Sequence, residues 1–114
     1  MSIADQKQAL FDVITQLRQA EQSLLEVSRT INDPAQLIQI NTEYTHLDSW
    51  IFQLLHAQST ADDALFGSAI STLKQQASSL SANKDHIQKI VGDVAKAAKI
   101  VGYLEKAMGY IAKL

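Results

Sequence analysis

Residues 87–114 read IQKIVGDVAKAAKIVGYLEKAMGYIAKL, and one helical period sorts them into three stripes. Ile87, Ile90, Val94, Ala97, Val101, Leu104, Met108 and Ile111 alternate by three and four, the spacing of a helix face buried against other helices. Lys96, Lys99, Tyr103, Lys106, Tyr110 and Lys113 form a second stripe at the same alternation, and Ala95, Gly102 and Gly109 form a third of small residues. A glycine inside a helix costs about 0.8–1 kcal/mol relative to alanine. Two on one stripe therefore predict a close approach by another backbone, a bend, or an apolar environment. The expected interface is the small stripe with Val101, Leu104, Met108 and Ile111 beside it.

Working back along the chain, the same period recurs with helix start signals between the runs. Ser2 with Asp5 three residues on is a variant capping box, and the seam behind it reads Ile3, Leu10, Ile14, Leu17, Leu24, Ile31, with Glu21 and Ser28 as polar interruptions. Asp33-Pro34 starts a second helix: the aspartate accepts free amides, and proline has no donor to waste in the first turn. Its seam is Leu37, Ile40, Tyr44, Leu47, Ile51, Leu54. Ser59 or Thr60 is expected to cap a third helix, with Asp62 and Asp63 in its first turn to favour the helix dipole. That helix carries Phe66, Ala69, Leu73 and Leu80.

Two architectures follow. The poor helix formers Ser78, Ser79, Ser81 and Asn83 argue for a turn near 81–85 and helices over about 2–31, 34–58, 60–81 and 84–113. The unbroken phase from Leu80 to Ile87 argues instead for one helix over 60–113, about 80 Å long at 1.5 Å per residue, half of whose seam would need a second subunit. Either way the chain is all-α, an antiparallel up-down helical bundle in a single domain.

Composition narrows the function classes. A chain of 114 residues can bury a core without staples. With no cysteine it has no disulfide, thiolate metal site or cysteine nucleophile. That fits a reducing cytoplasm, although export without a cleaved leader is compatible with it. The opening MSIADQKQAL lacks the basic and apolar regions of a signal peptide, and no run approaches the roughly 18 apolar residues of a membrane span. A net charge of −2 predicts no nucleic-acid partner. The charge is unevenly spread: residues 1–63 hold nine acidic and three basic side chains, residues 64–114 seven basic and three acidic. Such halves are expected to match each other across a bundle, or else to offer a basic surface to an anionic partner.

Candidate chemistry is sparse. Glu43-x-x-His46 has the spacing of half a carboxylate di-iron site, but no second such pair exists, so the two read as partly exposed polar residues beside the seam. His56 and His86 receive no role. Glu21, at a seam position, is the carboxylate expected to be buried, as a register-setting polar residue that pairs across the core. Trp50 reads as core. No nucleophile elbow, serine–lysine motif or phosphate loop is present, since Gly92, Gly102 and Gly109 read as helical. No catalytic, cofactor or metal site is expected, and the chain is not read as an enzyme.

The expected function is a protein–protein interaction or assembly module that self-associates through its C-terminal helix. The alternative is a membrane-active or secreted protein whose basic helix, through Lys96, Lys99, Tyr103, Lys106, Tyr110 and Lys113, meets an anionic surface. Over five residues, Asp33-Pro34-x-x-Leu37 after an amphipathic helix resembles the interhelical turn of type III secretion needle subunits. The chain is longer than those subunits and lacks the rest of their pattern, and the same residues are explained as a helix start.

Overall fold

Helix boundaries here follow side-chain caps. Ser2 Oγ accepts the Asp5 amide at 3.1 Å, and from it α1 runs Ile3–Ser28. Asp33 Oδ1 accepts the Ala35 amide at 3.1 Å and opens α2, Pro34–Gln58. Asp62 takes the Leu65 amide at 2.9 Å and opens α3, Asp63–Gln76. Ser59 and Thr60, the expected caps of α3, instead turn their hydroxyls back onto the His56 carbonyl at 2.9 and 3.0 Å and close α2. After α3 come α4, Ser78–Ile90, and α5, Val94–Ala112. The computed structural model describes residues 2–114.

The expected boundaries 60–81 and 84–113, and the single helix 60–113, need correction. No turn forms at 81–85. Asn83 stays helical because its side-chain amide finds a buried partner on α2, which removes the usual preference of asparagine for a turn. Between α3 and α4 there is only a bend at Ala77, whose backbone stays in the right-handed helical region. There the Ser79 hydroxyl donates to the Gln76 carbonyl at 2.8 Å and competes with the helical ladder, a common origin of helix bends. The chain reverses instead at Val91-Gly92-Asp93, where Asp93 caps α5 by accepting the Lys96 amide at 3.0 Å. Gly92 thus lies in a connection and not in a helix. Val94, assigned to the seam, is 83 % exposed, and Val91 is buried in its stead.

The result is an all-α antiparallel bundle of four rods measuring 47 × 21 × 20 Å, the third being α3 and α4 together. α1 lies between α2 and α5, and the α3–α4 rod closes the ring from the other side. Side-chain to backbone bonds fix the ends: Gln6 Nε2 donates to the Leu114 carbonyl, Gln58 Nε2 to that of Lys7, and Gln36 Nε2 to that of Ile90. The core includes Leu10, Leu17 and Leu24 of α1, Leu47 and Leu54 of α2, Phe66, Leu80 and Ile87 of α3 and α4, and Ile100, Leu104 and Ile111 of α5. Trp50 is buried in it at 6 % exposure.

Candidate functional site: a buried carboxylate between two histidines

Glu43 and His46 stand one turn apart on α2, Asn83 and His86 one turn apart on α4, and the bundle brings the four together. Glu43, read from sequence as partly exposed, is only 5 % exposed, and Asn83 only 4 %. The carboxylate is held from two sides: Asn83 Nδ2 donates to Oε2 at 2.8 Å, and His86 Nδ1 lies 3.1 Å from Oε1. His46 Nδ1 lies 3.3 Å from Asn83 Nδ2 and 3.8 Å from Glu43 Oε2. Both imidazoles are more than half exposed. They stand at one end of a groove of about 650 Å³ between α2 and the α3–α4 rod, with Ser49, Gln53, Gln75 and Ser79 along it. Serines and glutamines supply hydroxyls and amides along it, while most of its exposed lining is apolar, with Trp50 and Ala82 contributing.

Among the described residues, no group of three or more histidines, cysteines or carboxylates is placed to hold a metal ion. Glu43-x-x-His46 therefore faces histidine and asparagine and not the carboxylates of a di-metal site. The signal for Glu43 was present in the sequence. Ile40, Glu43 and Leu47 alternate by three and four just as Ile40, Tyr44 and Leu47 do, so the period alone does not choose between the carboxylate and the aromatic residue. Leu80, Asn83 and Ile87 repeat the pattern on α4, so two polar residues in two seams mark one buried contact.

Glu21 is buried as expected, at 7 % exposure, but it does not pair with a cation in the core. It faces Asp48 of α2 with Arg18 nearby on its own helix, and its Oε2 has no hydrogen-bond partner. Burial, then the hydrogen bond and charge of Asp48, push its pKa up to about 7 against the weaker opposing pull of Arg18. The Tyr44 hydroxyl is pushed up by the charge of Glu21 first, then by burial and by Asp48.

On α5 the structure divides the expected interface. Val101, Leu104 and Ile111 are buried within the bundle, Met108 and Gly102 are half-buried, and Ala95 and Gly109 are exposed. A Cβ added at Gly102 or Gly109 would meet nothing within 4 Å, so no helix of this chain approaches either glycine closely. Ala98 and Ala112, also exposed, extend the small stripe along the outer face. Lys96, Lys99, Lys106 and Lys113 are exposed and Tyr103 and Tyr110 half-buried. The expected charge match across the bundle does not occur as contacts: among the described residues no lysine or arginine lies within 4.0 Å of a carboxylate, and the contacts in that range are those of the His46 and His86 rings with Glu43. No helix among them is long and apolar enough to cross a membrane. No protein family, curated protein or solved structure matches this chain.

Proposed function

We propose that the chain is a non-catalytic assembly module whose bundle associates with a second copy through the outer face of α5. The observation that carries this reading is the pair of outward glycines. Gly102 and Gly109 lie inside a helix with open space where a side chain would stand, each costs about 0.8–1 kcal/mol against alanine, and nothing within the chain uses the space. A low face flanked by lysines suits an acidic helix pressed close from outside. The acidic half of a second copy, residues 1–63, has that character, and among the described residues none of its carboxylates lies within 4.0 Å of a lysine or arginine. Pairing of unlike faces makes the contact head-to-tail.

The test is sedimentation velocity on wild type, Gly102→Leu and Lys106→Ala. Because Gly102 faces open space, Gly102→Leu keeps its unfolding temperature while losing assembly. Lys106→Ala weakens assembly only slightly, since a lone exposed charge contributes little. Equal, negligible effects of the two substitutions would remove the packing claim. The second reading, a basic helix that meets anionic lipid, draws support from the exposed lysine row of α5. It requires the apolar face of α5 to leave α1 and α4. Transfer of the chain to anionic liposomes, with dye release, would put that reading first.

A further inference from the structure

The Glu43 cluster assigns a different hydrogen position to each of its two imidazoles. An ionised carboxylate only accepts, so the contact at 3.1 Å places a hydrogen of His86 on Nδ1, and in the neutral imidazole this leaves Nε2 with the free lone pair. Asn83 must present its NH2 group to the carboxylate, because its carbonyl oxygen at 2.8 Å from Oε2 would be repelled. The same NH2 group lies 3.3 Å from His46 Nδ1, which therefore accepts, and the hydrogen of His46 sits on Nε2. His56 has no side-chain hydrogen bond to its ring among the described residues. Of the three histidines, His86 alone has Nδ1 at hydrogen-bond distance from a carboxylate, which in the neutral ring makes the far nitrogen the nucleophilic one, and its side chain is 56 % exposed beside the groove.

From this geometry we propose that His86 is a nucleophilic histidine that accepts a phosphoryl group on Nε2. Imidazole attacks through an unprotonated ring nitrogen. The Nε2 lone pair forms the new bond to phosphorus, the bond from phosphorus to the leaving group breaks, and the leaving group departs with that electron pair. Nothing is oxidised or reduced. The ring keeps its Nδ1 hydrogen and becomes cationic, and the Glu43 carboxylate stabilises that cation just as a buried acid stabilises the imidazolium of a catalytic triad. Lys89, three residues on and on the adjoining helix surface, is exposed and lies within 4.0 Å of no carboxylate among the described residues, so it can meet the phosphoryl oxygens. The donor class is a phosphoramidate or an acyl phosphate, either of which supplies the phosphoryl group and a stable leaving group.

The experiment treats the intact chain with phosphoramidate, from which ammonia leaves, and reads adducts by intact mass and by peptide mapping at alkaline pH, where phosphohistidine survives. One adduct is expected, on His86. It should be lost in His86→Gln, kept in His46→Gln and His56→Gln, and formed about tenfold or more slowly in Glu43→Gln. Comparable labelling of all three histidines, or an unchanged rate in folded Glu43→Gln, would overturn the proposal. Should Glu43→Gln fail to fold, the proton–nitrogen NMR spectrum of wild type decides: His86 carries its hydrogen on Nδ1 and His46 on Nε2, and the reverse pattern for His86 rejects it.

Discussion

Glu21 and Glu43 are both nearly buried carboxylates of a helical seam, and their surroundings give them opposite characters. Glu43 is held by an amide and an imidazole, whereas Glu21 faces another acid and leaves one oxygen without a partner. Burial of Glu21 was legible because its spacing falls in the seam of α1, but its partner was not, since Asp48 comes from a different helix and shares no pattern with it. Raising Glu21 from 4.5 to about 7 makes the folded chain bind a proton more tightly than the unfolded chain. The stability this brings is complete below pH 4.5 and is lost as pH rises through about 7. Wild type should therefore be less stable at pH 8 than at pH 5, by on the order of 2 kcal/mol after screening at the solvent edge. Glu21→Gln should flatten that dependence in thermal melts; a variant that keeps the wild-type slope would show that other groups set it. For Glu43, the prediction concerns its anchor. Asn83→Ala leaves a buried carboxylate oxygen without its donor and should cost about 2–3 kcal/mol in urea unfolding, and a loss under 0.5 kcal/mol, the range of ordinary surface substitutions, would mean that water replaces the amide freely.

Among the elements, α1 and α2 could be placed from the sequence within a few residues because their caps and seams agree. The second half could not. The three-four alternation passes from Ile87 through Ile90 and Val94 to Ala97 without a fault, yet the chain reverses between Ile90 and Val94. The connection has three residues, close to one helical turn, so the pattern resumes in phase on the far side of a reversal. Gly92-Asp93 was the local signal, a flexible residue followed by a good N-cap, and it was masked by the periodic hydrophobes around it. The turn expected near 81–85 does not form, and the weak helix formers before it are accompanied only by a bend at Ala77. The Asp93 side chain satisfies the first turn of α5, so Asp93→Ala should lower stability by about 1 kcal/mol. Restoring the cap with Asp93→Ser should recover most of it. Equal stability of all three proteins in urea would show that the reversal is held by the packing of Val91 alone.

At the scale of the whole molecule, the all-α bundle was legible from period and composition, while its surface logic was not. The acidic and basic halves fold back antiparallel, but among the described residues their lysines and arginines form no direct ion pairs inside one copy. The apolar face of α5 is spent on α1 and α4, and its small face is left outside. Charge left unsatisfied within a copy, beside a face with room for a close neighbour, is the physical basis of the proposed association between copies. An assembly of that kind weakens as salt screens exposed charges across a Debye length of about 10 Å at 0.1 M. The most direct test is sedimentation equilibrium of the unaltered chain over a concentration series at low and high salt. The account predicts a mass that rises above 12.5 kDa with concentration and falls back toward it in high salt; a mass fixed at 12.5 kDa at every concentration and salt would contradict it.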